Sequence, residues 1–205
     1  MDAIIEYIRK TYRPLALIVY GSFADGTNGA HSDFDALAIV PEGEPIHDHT
    51  VQSGTRLDLF VYPRHTFLQP YDPEVFLQVW DGRILFDTED LAHRLKEMVK
   101  AYIEALPVPT AEENRQNVAW CRKMLERSES GDAEGRYRLY WLLKDTLEIY
   151  FDLRHAHYFG PQKALGQMRR DDTDAAEIYT RALMEPTGEH VRAWVELLEH
   201  MAEGQ

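Results

Sequence analysis

Two aspartates one residue apart, Asp33 and Asp35, head the apolar run of residues 36–40, Ala-Leu-Ala-Ile-Val. Aspartate is a poor strand residue. Strand side chains alternate between faces, so both carboxylates project to one side, with Phe34 and Ala36 on the other. Residues 15–20, LALIVY, form a second apolar run that ends at Gly21-Ser22. Residues 55–63, TRLDLFVYP, alternate as a third strand with Asp58 in the middle. If this strand pairs with the Asp33–Asp35 strand, Asp58 joins the same face. Three carboxylates on one sheet surface do not ionise together cheaply without a cation.

That requirement points to chemistry. Hard divalent cations such as Mg²⁺ take oxygen ligands and bridge carboxylates to substrate phosphates. Two such ions stabilise both the attacking and the leaving oxygen of a phosphoryl-type displacement. Gly21 lets the backbone come close to a ligand. The N–H groups of the following turn and the Ser22 hydroxyl offer an anion site. A triphosphate gripped at one end and metal-coordinated at the other fits this spacing.

The rest of the chain changes character midway. Before Pro107, segments of helical period (residues 2–12, 73–80 and 88–106) alternate with short apolar strands. Residues 41–50, PEGEPIHDHT, read as a polar loop, residues 84–87 as an edge strand, and Thr88 as the N-cap of the helix after it. After Pro107 and Pro109 the period is almost wholly helical, over residues 110–129, 133–159, 160–169, 173–183 and 188–203. The expected class is α+β: a mixed-sheet domain over residues 1–106, then an all-helical bundle over residues 107–205.

Composition bounds the partners. The chain has 205 residues, 22 basic against 35 acidic, for a formal net charge of −13. Such a surface repels long nucleic acids and attracts a cationic small molecule. Cys121 is the one cysteine, which excludes an internal disulfide and fits a reducing cytoplasm. The first residues lack the pattern of a secretory signal, and no apolar stretch is long enough for a membrane span.

The run GSFADGTNGAHSDFD resembles the signature of the DNA polymerase β-like nucleotidyltransferases: Gly-Ser, a spacer, Asp-x-Asp with apolar flanks, and a later single aspartate on a strand. The resemblance covers roughly the first 90 residues. It implies that Gly21 and Ser22 bind nucleotide phosphates and that Asp33, Asp35 and Asp58 hold two Mg²⁺ ions. The implied reaction moves a nucleoside monophosphate from a nucleoside triphosphate to a hydroxyl acceptor. The order of the helical half is similar to that of the aminoglycoside (kanamycin-type) nucleotidyltransferases and their small bacterial relatives. That similarity implies a small-molecule acceptor, aminoglycoside-like among others, held in a cleft between the halves. It also implies a general base near the start of the helical half. The matching segment is TAEENRQ, so Glu112 and Glu113 are the candidates, each equally a first-turn residue countering the helix dipole.

Other residues carry two readings. Lys163, near the start of a helix where a cation is unfavourable, is either a phosphate contact or a plain surface lysine. Asp145, Glu148, Asp152 and His155 form one helical stripe, a cationic-substrate wall or a solvated face. Arg56 balances the acidic cluster or is simply exposed. His47 and His49 fall in the polar loop with no further soft ligands nearby, which argues against a zinc site. The aromatics Tyr137, Tyr140, Trp141, Tyr150 and Phe151 read as core. Two rival functions stay open: nucleotidylation of a protein partner, as in small antitoxin-type relatives, and a non-catalytic nucleotide-binding regulatory module. The sequence leaves the acceptor, the preferred base and the oligomeric state open.

Overall fold

Ile4 and Ile8 lie one helical turn apart and are the buried residues of α1 (Asp2–Tyr12). Their stripe packs on one face of a sheet, against Leu17, Val19, Phe34, Ala36, Leu57 and Leu59. Arg13 ends the helix in the left-handed conformation, and Pro14 prevents its continuation. The structure, a computed structural model, describes residues 1–204. They fall into two compact units, Met1–Leu106 and the chain from Pro107 onward.

The first unit is built on a mixed sheet. Its strands are β1 (Ala16–Val19), β2 (Phe34–Val40), β3 (Ile46–Asp48), β4 (Val51–Gln52), β5 (Thr55–Pro63) and β6 (Arg83–Asp87), in the order β3-β5-β2-β1-β6, with β4 also on β5. β2 and β5 run parallel; the other pairings are antiparallel. β1 and β2 are central and buried on both faces, which is why they read as continuous apolar runs. β5 alternates: Leu57, Leu59 and Val61 join the α1 face. Ile18, Tyr20, Leu37 and Ile39 face the other way, onto Phe76 and Val79 of a 3₁₀ stretch (Pro73–Val79) and Leu91, Leu95 and Val99 of α3 (Leu91–Ala105).

Three local expectations change. Residues 41–50 are not all loop: Ile46–Asp48 form β3, because the outer edge of β5 has backbone groups to satisfy. Thr88 does not cap α3. Its hydroxyl donates to the Leu15 carbonyl, and the Asp87 carboxylate accepts the Leu91 and His93 N–H groups instead. Residues 73–79 coil as 3₁₀ rather than α-helix.

The second unit holds α4 (Ala111–Ser128), α5 (Ala133–Leu153), α6 (Pro161–Asp171), α7 (Thr173–Met184) and α8 (Gly188–Glu203). α5 supplies most of its core, with Leu142, Leu143, Leu147, Tyr150 and Phe151 packed against Tyr179 of α7 and Trp194 of α8. Two buried side chains there are joined: the Trp194 indole donates to Thr146 Oγ1 at 2.9 Å, and Thr146 donates to the Leu142 carbonyl at 2.7 Å. Asp172 caps α7 and also accepts from the Tyr150 hydroxyl and Arg154. α5 ends at Leu153, so His155 lies outside the helix and the acidic stripe stops at Asp152. Of the aromatics, Tyr150 and Phe151 are core, whereas Tyr137, Tyr140 and Trp141 are exposed.

Asp48 is a buried carboxylate of the first unit. It accepts from the Tyr12 hydroxyl at 2.8 Å, the Tyr7 hydroxyl at 3.2 Å and the Thr50 N–H at 2.8 Å. Burial pushes its pKa up, but these donors outweigh burial and hold it below the ordinary value. Asp87 is lowered in the same way, burial being outweighed by His93 and the N–H groups at the start of α3. Both folded-state pKa values are depressed, so their stabilisation is full above about pH 4 and is lost as pH falls through the native values. Acid titration followed by circular dichroism is expected to show this loss. Asp48→Ala, which strands the tyrosine hydroxyls and the Thr50 N–H, is expected to destabilise the protein by about 1–3 kcal/mol in denaturant unfolding and to blunt the acid transition.

Candidate functional site

β2 and β5 are in register with Asp35 opposite Asp58. Paired residues of neighbouring strands point to the same side, so the two carboxylates stand abreast on the face away from α1, on strands about 4.8 Å apart. Asp33 precedes β2 by one residue and is exposed. It follows a loop tied by the Asn28 N–H to the Ser22 carbonyl and the Gly29 N–H to Ser32 Oγ. Asp33 is thus at the mouth of the strand rather than inside it.

Gly21 closes the site from β1. Its φ of 62° and ψ of −153° lie in a region essentially reserved for glycine. A Cβ there would collide with the Asp35 carboxylate. The Tyr20 N–H donates to the Asp35 carbonyl at 3.1 Å, which locks the turn to β2. Ser22 begins a single helical turn, α2 (Ser22–Asp25). The Ala24 and Asp25 N–H groups return to the Gly21 carbonyl. Anion donors at this turn are therefore the Ser22 and Phe23 N–H groups with the Ser22 hydroxyl; one turn is too short for a substantial dipole.

The sequence reading gave Tyr20 no role and set His47 aside as a loop residue. Tyr20 is buried. Burial, and after it the charges of Asp58 and Asp35, push its pKa up, so it stays a neutral phenol. Its position at the end of an apolar strand gave no polar signal. His47 lies on β3, with Nε2 2.5 Å from Asp58 Oδ1. Among the described residues, two groups of three side chains hold potential ligand atoms within 4.8 Å of one another: His47, His49 and Asp58, and Asp87, Asp90 and His93. Asp33 and Asp35 belong to neither.

The donor set of Asp33, Asp35 and Asp58 is all oxygen, which suits Mg²⁺. The buried Tyr20 phenol, which feels the charges of Asp58 and Asp35, adds a further oxygen near them. The residues present therefore fit a hard cation.

The remaining candidates sit in the second unit. Thr110 and Glu113 form a capping box at the start of α4, and Glu113 accepts the Thr110 N–H at 2.8 Å. Glu112 accepts from Arg115 and Gln116. Hydrogen bonds lower both glutamate pKa values, from Arg115 foremost at Glu112 and from the Thr110 N–H foremost at Glu113. Asp152 differs: burial, then the Glu148 charge, raise its pKa. Lys163 is half-buried near the start of α6, its ammonium 5.8 Å from the Phe159 ring centroid. Arg56 is exposed. Cys121 is buried and its thiol pushed up to about 12 by burial, which leaves it inert.

Gly21→Ala is expected to cost about 1–3 kcal/mol of stability from its backbone conformation alone, more with the clash. Part of the cost should disappear in an Asp35→Ala background. Thermal unfolding of the four members of this double-mutant cycle measures the coupling.

A nucleotidyltransferase-like protein from Exiguobacterium sibiricum 255-15 is 17% identical, aligned over 99% of this chain and 73% of its own, with a TM-score of 0.37. No curated protein matches the chain. Residues 1–118 match the nucleotidyltransferase domain family. That match takes in Gly21, Ser22 and all three aspartates and spans more than half of the sequence, so the chain belongs to the nucleotidyltransferase domain family, of the DNA polymerase β-like superfamily.

Proposed function

We propose that the protein is a metal-dependent nucleotidyltransferase of the EC 2.7.7 type, moving a nucleoside monophosphate from a nucleoside triphosphate to a hydroxyl of a small, cationic acceptor. The observation that carries this reading is the register pairing of Asp35 with Asp58, with Gly21 fitted against Asp35. In this reading Asp33, Asp35 and Asp58 hold two Mg²⁺ ions. When bound, the ions neutralise charge on the phosphates and on the attacking and leaving oxygens.

The chain's own residues do the rest. Gly21 and Ser22 receive the triphosphate through backbone N–H groups and a hydroxyl, with no side chain at Gly21 to keep it off the strand. The acceptor oxygen forms a bond to the α-phosphorus as the bond to pyrophosphate breaks, and its proton passes to a carboxylate. Asp58 is the candidate on the sheet; Glu112, Glu113 and Glu148 are the candidates in the helical unit. The acceptor class rests on the formal net charge of −13, which favours a cation and disfavours long nucleic acid.

The purified protein incubated with labelled triphosphates, Mg²⁺ and a panel of cationic hydroxyl compounds is expected to label an acceptor and release pyrophosphate. Label on a protein partner, or binding without turnover, would replace this reading with one of its rivals. Asp35→Asn is expected to lower transfer by at least about 10²-fold, since a metal ligand bears on several kcal/mol of transition-state stabilisation. Its circular dichroism spectrum should not change. Near-parental turnover in Asp35→Asn would refute the assignment. Glu112→Gln, Glu113→Gln and Glu148→Gln separate the base candidates: the base loses about 10²–10⁴ in rate at unchanged nucleotide affinity. If all three transfer at the parental rate, the base is not among them, and Asp58 or water on the metal becomes the better candidate.

A further inference from the structure

Alternation along residues 47–49 divides three polar side chains between two faces of the sheet. Asp48 turns toward α1 and is held there by Tyr7, Tyr12 and Thr50. His47 therefore turns the opposite way, beside Phe60, its register partner on β5. Its ring stacks on Phe60 with centroids 3.9 Å apart and planes at 19°. The His49 ring follows at 3.7 Å from His47. Asp58, two residues before Phe60, shares this face and meets His47 Nε2 at 2.5 Å. Two imidazoles and one carboxylate thus offer ligand atoms within 4.8 Å of one another.

We propose that His47, His49 and Asp58 form a binding site for a divalent transition metal of the zinc class, overlapping the all-oxygen Mg²⁺ set at Asp58 alone. Imidazole nitrogen suits zinc, cobalt and nickel, whereas Mg²⁺ takes oxygen. Tetrahedral coordination at about 2.0–2.1 Å sets ligand atoms about 3.4 Å apart. Closure around an ion therefore requires only that the His47–Asp58 contact open and that His49 swing in, and both histidines are exposed and able to do so. The fixed parts are the Asp48 anchor behind the strand and the Phe60 ring beneath His47. The second cluster lacks this freedom: both Asp87 oxygens are already engaged by N–H groups of α3. An ion at the proposed site engages Asp58, so zinc-class metal and nucleotidyl transfer compete for one carboxylate. That consequence rests on the reading above; the site itself does not.

The test needs no turnover. Metal-free protein is titrated with Co²⁺ without Mg²⁺ or nucleotide, and the visible absorption of cobalt is followed, then Zn²⁺ is added. A single equivalent of Co²⁺ is expected to give the bands of a low-coordinate nitrogen and oxygen site, and Zn²⁺ should abolish them. His49→Ala, a change at an exposed side chain, and His47→Ala are each expected to weaken Co²⁺ binding at least tenfold. His93→Ala should bind as the parent does. The proposal is overturned if the parent shows no such spectrum, if His49→Ala and His47→Ala both bind like the parent, or if the signal is lost in His93→Ala but kept in His49→Ala. Circular dichroism establishes that each variant is folded.

Discussion

The parallel pairing of β2 with β5 is the constraint on which the site depends. A parallel ladder needs a crossover between its strands. Here residues 41–54 make it, laying β3 and β4 along the outer edge of β5. The register that results sets Asp35 beside Asp58 and carries His47 to the same end of the sheet. A slip of one residue would turn Asp58 into the α1 core and Leu57 and Leu59 out of it. The hydrophobic alternation of β5 thus fixes the position of a carboxylate that itself contributes nothing to the core.

Glycine and tyrosine define the other side of this site. Gly21 takes a conformation that other residues adopt only with strain, in a place where a side chain would meet Asp35. The need for glycine is therefore double, and one part of it concerns the neighbouring strand rather than any ligand. Tyr20 puts a neutral hydroxyl beneath two carboxylates.

The helical unit handles its polar groups differently. Thr146, Trp194, Tyr179, Tyr150 and Asp172 satisfy one another or nearby carbonyls inside a packed core. Glu112 and Glu113 spend their carboxylates on α4 itself. Asp152 is the exception, half-buried beside Glu148 with its proton held more tightly than usual. These differences arise from packing and from helix ends, which a helical period alone does not report.

The division between sequence and tertiary structure follows from the range of the forces involved. Local pattern sufficed for the shared face of Asp35 and Asp58, the Gly-Ser turn, the strands β1, β2 and β5, and the change to helix after Pro107, because each is written in alternation, helical period or turn chemistry within a few residues; it put Asp33 in the strand, whereas β2 begins only at Phe34. It failed at Thr88 and at residues 41–50. Thr88 reads as a cap, yet Asp87 reaches the helix start and Thr88 is drawn to the Leu15 carbonyl, a partner 73 residues away in sequence. Residues 46–48 carry weak strand character and become a strand only because β5 presents an edge. The same pairing gives His47 its carboxylate partner. In sequence it is eleven residues from Asp58 with nothing between to join them. Strand pairing is a long-range hydrogen-bonding decision, and only the folded sheet made it.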